Sequence, residues 1–344
     1  MTGRRCSLRT GSLVGWDSVA LENDALRVTV LPAKGADIYE LVDLRSDIDV
    51  LFKAPWGLKS PGAPPREGSG DVEFLWNYEG GWQELLPNAN DACSYRGIEV
   101  PFHGEVATLP WEWEVVRDKP DEVAVRFSTH CRKTPFRLER LMRLEQGKAQ
   151  LVLEETVRND SDHAAHLVWG HHCVVGPPFL EPGCRLELPA RAVVTRPEVW
   201  EETARLAPGQ TERWPHARLR AGGTVDLREV PGLEAGSHDD VYAIDLEAGW
   251  VSVTNPSRGL TFRLAWDADL FTCVVLWQPY GGANELPLSG SYALGIEPWT
   301  SRHCLEQALA AGEAVELAAG ESLATSLYAT LESSDPSAGA GEAA

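Results

Sequence analysis

Apolar and β-branched residues alternate with polar ones in short segments along the whole chain, and turn residues separate these segments. A period of two is typical of strands that bury one face. The pattern predicts strands at residues 18–21, 25–31, 37–41, 50–52, 111–116, 122–128, 136–144, 150–158, 165–175, 241–245, 251–254, 261–265, 271–277, 291–296 and 322–330. Helical periodicity is scarce, with short helices expected only at 201–206 and 304–311. The predicted fold is therefore all-β, a large antiparallel sandwich of two sheets with few short helices.

Two segments depart from the alternation. Residues 55–91 are rich in Pro and Gly, and a long irregular segment inside a compact domain is typical of a functional loop. Residues 333–344 lack large apolar side chains, which predicts a disordered tail. Since no repeat or domain boundary interrupts the rest, we expect a single β-sandwich domain over residues 12–332.

The charge and composition of the chain limit the classes of partner that it can bind. The chain has 344 residues, 51 of them acidic and 31 basic, and its net charge of −20 repels nucleic acid and anionic membranes. A neutral small molecule is the expected partner, bound by a monomer or a homodimer. Because no apolar run reaches the length of a signal peptide or a membrane span, we expect a cytoplasmic protein.

Cysteines and histidines give no metal or cofactor signature. Seven cysteines are scattered without a Cys-x-x-Cys pair, which predicts reduced, buried thiols. The histidines at positions 163, 166, 171 and 172 lack the spacing of known zinc motifs. Glycine-rich phosphate loops and a Gly-x-Ser-x-Gly elbow are also missing from the sequence. We therefore expect neither a metal nor a cofactor.

Histidines interrupt the apolar strand predicted at 165–175. Side chains of a strand alternate between two faces, so the adjacent His171 and His172 point in opposite directions. Trp169 shares the His171 face, which predicts packing in the core. Gly170 shares the His172 face, where a small residue would leave space for a ligand. For either histidine, a purely structural role is the alternative.

Glu297 lies in a comparable setting. Ala293 and Gly295 share its face of the predicted strand, whereas a face exposed to water usually carries more polar residues. Pro298 keeps Glu297 extended. We therefore expect this carboxyl group on the floor of a pocket rather than on an exposed edge strand. A His and a Glu that face each other supply the acid and the base of proton-transfer chemistry.

Other polar and aromatic residues could complete such a pocket. His103 lies in a turn before Gly104, at the rim of a sheet. Asp239 and Asp240 lead into a strand, and either one could face the pocket. Flat aromatic faces suit the C–H faces of a sugar ring. The tryptophans that flank these polar positions are Trp76, Trp82, Trp111, Trp113, Trp277 and Trp299.

Taken in their order along the chain, these polar and aromatic residues form a pattern that resembles the aldose 1-epimerase (galactose mutarotase-like) family. The resemblance extends over about residues 17–330. The residues that carry the resemblance are Pro87-Asn88-Ala89-Asn90, Phe102-His103-Gly104, His172, Asp239 ahead of Val241-Tyr242, and Leu294-Gly295-Ile296-Glu297-Pro298. The resemblance implies a β-supersandwich and a mutarotase that interconverts the anomers of a free sugar. It implies that His172 protonates the ring oxygen and that Glu297 takes the proton of the anomeric hydroxyl. The residues expected to bind the sugar are His103, Asp239, Asn88, Asn90, Trp82 and Trp277.

Two positions depart from the galactose-acting members. Asp91 stands where they have Arg, and Trp299 stands where they have Gln. The acid and the base are kept while residues that recognise the sugar differ, which indicates a divergent bacterial-type branch. We expect a neutral sugar rather than a sugar phosphate, because no cluster of basic residues lies beside the predicted site. The alternatives are a non-catalytic carbohydrate-binding or sensor protein on the same fold, and a glycosidase, which would need a second carboxylate near Glu297.

Overall fold

The computed structural model describes residues 5–65, 68, 72–199, 201–284 and 286–333. Strands of the first third are β1 (Ser7–Leu13), β2 (Trp16–Glu22), β3 (Leu26–Leu31), β4 (Asp37–Asp43), β5 (Ile48–Asp49), β6 (Trp82–Leu85), β7 (Cys93–Tyr95), β8 (Ile98–Val100) and β9 (Glu112–Lys119). Strands of the middle third are β10 (Glu122–His130), β11 (Phe136–Glu145), β12 (Gln150–Asn159), β13 (Ala165–Leu167), β14 (Gly170–Val175), β15 (Arg185–Glu187), β16 (Ala190–Thr195), β17 (Thr211–Arg213), β18 (His216–Arg218) and β19 (Thr224–Asp226). The last strands are β20 (Ser237–Leu246), β21 (Trp250–Asn255), β22 (Leu260–Ala265), β23 (Cys273–Tyr280), β24 (Leu294–Gly295), β25 (Glu297–Trp299), β26 (Val315–Leu317) and β27 (Ser322–Ser333). The α-helices of the described residues are α1 (Glu73–Asn77) and α2 (Leu305–Ala311).

Two large antiparallel sheets form the body of the molecule. The first runs in the order β1-β2-β3-β4-β6-β14-β25-β23-β20-β16-β17, with β5 beside β4 and β24 beside β14. The second runs in the order β15-β21-β22-β27-β12-β11-β10-β9. Strands β1 to β3 contact β9 to β12 across the interior, and one apolar core takes side chains from both sheets. The predicted all-β sandwich is thus confirmed.

Strand β11 shows how alternation builds this core. Phe136, Leu138, Met142 and Leu144 are buried, and the residues between them are partly exposed. Arg140 occupies the central inward position of the same strand and is 1% exposed. A charged group at such a position requires partners, since burying an unpaired charge costs several kcal/mol.

The partners of Arg140 come from both sheets. Its Nε donates to Oε1 of Glu155, the residue opposite it on β12, at 2.9 Å. Its Nη2 donates to Oε2 of Glu84 on β6, in the other sheet, at 2.5 Å. His171, the cross-strand partner of Glu84, places Nε2 3.2 Å from Glu155. Four buried ionisable side chains therefore join the two sheets at one point, directly behind His172.

Local structure departs from the sequence expectations in several places. The helix expected at 304–311 is confirmed as α2, which Gly312 ends with a φ of 72°. The helix expected at 201–206 is wrong, because Asp239 accepts hydrogen bonds from the backbone N–H groups of Arg205 and Leu206 and holds this segment against β20. The strand expected at 165–175 is interrupted between β13 and β14, and that expected at 291–296 shortens to β24.

The segment at 55–91 is less irregular than expected, since it contains α1 and β6. The predicted disordered tail at 333–344 lies outside the described residues except for Ser333, which ends β27. No helix in the described part of the chain is long and apolar enough to cross a membrane.

Replacing Arg140 by Met should destabilise the protein by about 3–5 kcal/mol, because Glu84 and Glu155 would lose the cation that pairs with both. Urea unfolding of wild type and variant measures the difference. Arg143→Met, on the partly exposed face of the same strand, serves as the matched control and should cost about 0–1 kcal/mol. Equal losses in the two variants would contradict a structural role for the buried network.

Candidate active site

Alternation on β14 directs His171 into the core and His172 to the opposite face of the sheet. Glu297 begins β25, and the preceding residue, Ile296, donates its backbone N–H to the carbonyl oxygen of Cys173 at 2.9 Å. This bond ties the Glu297 segment to the residue that follows His172. As a result, Nε2 of His172 lies 3.6 Å from Oε1 of Glu297. The structure thus brings together the two residues predicted as acid and base.

Two glycines make room for this arrangement. A Cβ atom on Gly295 would lie 2.4 Å from Oε1 of Glu297, so a larger residue would displace the carboxyl group. A Cβ atom on Gly170 would lie 2.6 Å from Cδ1 of Trp299. The sequence analysis expected open space for a ligand beside Gly170. That expectation is wrong, because the indole ring of Trp299 fills the space.

His172 and Glu297 line the same cavity, which has a volume of about 90 Å³. Aromatic rings surround the imidazole of His172, with ring centroids 5.3 Å away for Phe74, 4.9 Å for Tyr78 and 6.1 Å for Trp277. The partly exposed lining residues include Leu75, Phe102 and Leu288, which give the cavity a largely apolar rim.

Burial shifts both reactive groups toward their neutral forms. It lowers the pKa of His172 to about 3. It also raises the pKa of Glu297 well above its ordinary value, and the negative charge of Asp240 adds to this effect. Both shifts favour the form of the pair in which Glu297 carries the proton and His172 is neutral.

His103 lies in a left-handed turn, with a φ of 60°, and its side chain lines the cavity. Burial lowers its pKa well below the ordinary value, so the ring is neutral. Nδ1 lies 2.7 Å from the carbonyl oxygen of Ala89, which can only accept a hydrogen bond. The proton is therefore on Nδ1, and Nε2 is available as an acceptor. The next residue must be glycine, because a Cβ atom at position 104 would lie 2.4 Å from the carbonyl oxygen of Leu86.

Asp240, rather than Asp239, lines the cavity. Adjacent residues of β20 face opposite sides, and Asp239 points away, where Oδ2 accepts from Nε of Arg205 at 2.7 Å. Asp240 pairs with Arg196, whose Nε lies 2.6 Å from Oδ2. Asp239, predicted to bind the sugar, therefore lies outside the described lining of the cavity, and its neighbour Asp240 lies within it. Arg196 was missed because it follows β16, far from every motif in the sequence.

Trp277 also lines the cavity, and its orientation has a clear cause. Its indole N–H donates to Nε2 of His238 at 2.7 Å, so the proton of that imidazole is on Nδ1, which contacts a carboxylate oxygen of Glu201. This chain of contacts fixes the tryptophan ring beside His172. His238, prominent in the sequence, thus acts through Trp277.

Three residues expected to bind the sugar lie outside the cavity. Asn88 donates to the carbonyl oxygens of Asn90, Asp91 and Pro101, and its Oδ1 accepts from the N–H of Leu305. Asn90 donates to the carbonyl oxygen of Arg302 at 2.7 Å and lines a neighbouring groove. The third residue, Trp82, is 1% exposed in the core, where its Nε1 lies 3.3 Å from Nδ1 of His171. These three side chains shape the fold around the cavity.

The sequence analysis also missed the aromatic cover of the site. Phe74 and Tyr78 come from α1 and the residue after it. Their only signal was the expectation that the segment at 55–91 is a functional loop. Of the six tryptophans considered, Trp277 and Trp299 belong to the described lining of the cavity.

A metal is not suggested by the cluster behind the site. Ligand atoms of Glu84, Glu155 and His171 lie within 4.8 Å of one another. The guanidinium of Arg140 already binds both carboxylates, however, and would repel a second cation. These residues therefore fit an ion-pair network better than a metal centre.

The fold is a galactose mutarotase-like β-sandwich, and a His and a Glu lie side by side in its buried, aromatic cavity. The chain belongs to the family described as a domain of unknown function (DUF4432), which it matches over residues 14–331. No curated protein matches the sequence.

Solved structures show the same fold at low sequence identity. A galactose mutarotase-like protein from Clostridium acetobutylicum is 15% identical, with a TM-score of 0.65, over 96% of this chain and 99% of that one. A galactose mutarotase-like protein from Lactobacillus casei is 16% identical, with a TM-score of 0.60, over 92% and 100%. A protein from Synechocystis sp. is 18% identical, with a TM-score of 0.67, over 94% and 99%.

Glu297→Gln should raise the thermal stability at neutral and alkaline pH. The folded-state pKa of Glu297 lies above that of the unfolded chain, so the wild type loses stability as the pH rises through this interval. Gln cannot ionise and avoids this loss. The difference in Tm between variant and wild type should therefore widen from pH 5 to pH 8, to about 2 °C or more. Scanning fluorimetry measures it, with the exposed-site variant Glu112→Gln as control. Parallel curves for Glu297→Gln and wild type would contradict the expected burial of this carboxyl group.

Proposed function

We propose that the protein is an aldose 1-epimerase, a mutarotase that interconverts the α and β anomers of a free neutral sugar. The observation that carries the proposal is the 3.6 Å approach of Nε2 of His172 to Oε1 of Glu297 inside the buried aromatic cavity. The mutarotase-like fold of the solved relatives supports it. Ring opening needs a base at the anomeric hydroxyl and an acid at the ring oxygen in the same complex, and this pair can supply both.

The reaction balances without a cofactor. The Glu297 carboxylate takes the proton of O1, C1 and O1 form a carbonyl, and the bond between C1 and the ring oxygen breaks. The ring oxygen then takes the proton of the His172 imidazolium. Rotation about the C1–C2 bond turns the other face of the carbonyl to the ring oxygen. The reverse steps close the ring as the other anomer and restore both side chains.

A single proton on the pair supports both directions of this cycle. The form with protonated Glu297 and neutral His172 closes an open-chain sugar, and the form with ionised Glu297 and cationic His172 opens a ring. These two forms have the same net charge and differ by one proton transfer over 3.6 Å. Bulk pH therefore does not choose between them, and it acts only when the pair gains or loses a proton.

The remaining polar lining suits a neutral sugar. Nε2 of His103 can accept a hydrogen bond from a sugar hydroxyl. The Asp240 carboxylate can accept another, and the Arg196 guanidinium beside it can donate one. The ring of Trp277 provides a flat apolar face for sugar C–H groups. Since the charge of Asp240 offsets that of Arg196, the cavity holds no uncompensated cation of the kind that a phosphate would require.

One observation favours a second candidate, a glycosidase. Asp240 and Glu297 are two carboxyl groups in the same cavity, and burial holds Glu297 in the protonated form that a general acid needs. Release of nitrophenol from aryl glycosides tests this function directly. The ion pair of Asp240 with Arg196 favours substrate binding for this aspartate over nucleophilic attack.

His172→Asn and Glu297→Gln should each lower the kcat of mutarotation by about 10²–10⁴-fold with little change in KM, because both residues act in proton transfer. Polarimetry over neutral hexoses, pentoses, deoxysugars and uronic acids measures the rates. His171→Asn is the adjacent control, since it should lower stability and leave kcat within about tenfold in the folded protein. Sugar binding without turnover across the panel would favour the non-catalytic alternative. A larger kinetic defect in folded His171→Asn would transfer the acid role to His171.

The pH profile should differ from that of an exposed histidine. Above the pKa of the shared proton, Glu297 is ionised and His172 is neutral, so no proton is available for the ring oxygen and activity falls. Below about pH 3, His172 gains a second proton and no base remains. We therefore expect kcat/KM to stay level from mildly acidic to neutral pH and to decline on the alkaline side. Circular dichroism at each pH checks the fold. An acid limb centred near pH 6.5 would contradict this assignment.

A further inference from the structure

Two buried donors in the cavity lack a partner. The hydroxyl of Tyr78 and the indole N–H of Trp299 line the cavity and make no hydrogen bond with the described residues. Tyr78 is 4% exposed and Trp299 is 2% exposed, so bulk water does not replace the missing acceptor. Native proteins rarely leave buried donors unsatisfied without a reason. These two groups therefore indicate where an acceptor arrives in another state of the site.

Both donors flank the reactive pair. Trp299 is two residues from Glu297 on β25, so the two side chains share one face of the strand. The missing Cβ of Gly170 lets the indole ring lie against β14. The ring of Tyr78 lies 4.9 Å from that of His172 at an interplanar angle of 83°. After burial, the charge of Glu297 is the next cause that raises the pKa of Tyr78, so this hydroxyl also lies within electrostatic reach of the Glu297 carboxyl group.

The proposed reaction creates such an acceptor. In the ring-opening form, the proton of Glu297 has moved to His172, which leaves a buried carboxylate. A carboxylate in an apolar cavity requires hydrogen-bond donors, because burial otherwise opposes its charge. We propose that Tyr78 and Trp299 are positioning residues that donate to the Glu297 carboxylate when its proton moves to His172. The inference rests on the proposed function and explains how an aromatic cavity can hold the charged form of its base.

The electrostatics of the resting site agree with this role. Burial is the largest influence on the pKa of Glu297 and raises it, whereas the nearby indole N–H of Trp299 acts in the opposite direction.

A titration of Glu297 tests the inference without turnover. Glutamate labelled with ¹³C at the side-chain carboxyl reports ionisation by NMR, and Glu297→Gln assigns the signal. Tyr78→Phe and Trp299→Phe each remove one donor, so each should raise the pKa of Glu297 relative to wild type. Trp299→Gln keeps an N–H donor and should restore most of the shift. Trp277→Phe is the control, because its N–H is already held by His238 and its loss should leave the titration in place.

Kinetics give a second, separate measure. Loss of either donor should lower kcat by about 10- to 100-fold with KM within about threefold, since a hydrogen bond to a charged group is lost in the reactive form. The alkaline limb of the pH profile should move to higher pH. Unchanged titrations in both folded Phe variants would overturn the inference. If the donors shift the titration but no aldose is turned over, the hydrogen bonds stand and the proposed function fails.

Discussion

The site depends on the alternation of side chains on β14. Because neighbouring residues of a strand face opposite sides, His171 and His172 cannot share an environment. His171 joins Arg140, Glu84 and Glu155 in a buried network that links the two sheets, and His172 faces the cavity. A slip of one residue in the pairing of β14 would exchange the two histidines and leave the network without one of its members. The buried charges therefore fix the register that the site requires.

Burial then determines what the paired groups can do. The same apolar surroundings lower the pKa of His172 and raise that of Glu297, so the pair keeps one proton in the neutral form. Exposed groups with ordinary pKa values would instead form a carboxylate and, on the acid side, an imidazolium. The aromatic rings of Phe74, Tyr78 and Trp277 bury the pair. Their apolar surroundings therefore favour the form in which Glu297 carries the proton and His172 is neutral. Moving that proton across 3.6 Å leaves the net charge of the cavity unchanged.

Much of the sandwich could be predicted from the sequence, since a period of two is a local signal. The same signal separated His171 from His172 and placed Glu297 beside small residues. It could not decide between Asp239 and Asp240, because the choice depends on how β20 leaves the preceding turn. The cover formed by Phe74 and Tyr78 was also out of reach, as a five-residue helix without a capping hydrogen bond carries little periodicity. Such elements depend on tertiary contacts rather than on propensity.

The proposed acid–base pair and the rest of the cavity lining come from different parts of the fold. His172 and Glu297 lie on adjoining strands of one sheet, where backbone hydrogen bonds hold their separation. Asn88, which the resemblance placed at the sugar, instead has all of its hydrogen bonds with the protein. The remaining contacts to a ligand come from α1, from Arg196 after β16, and from Asp240 near the start of β20. Loops and short helices tolerate substitution more readily than paired strands. The proposed acid–base pair is therefore held by paired strands, whereas Phe74 and Arg196 reach the cavity from a short helix and from the end of a strand.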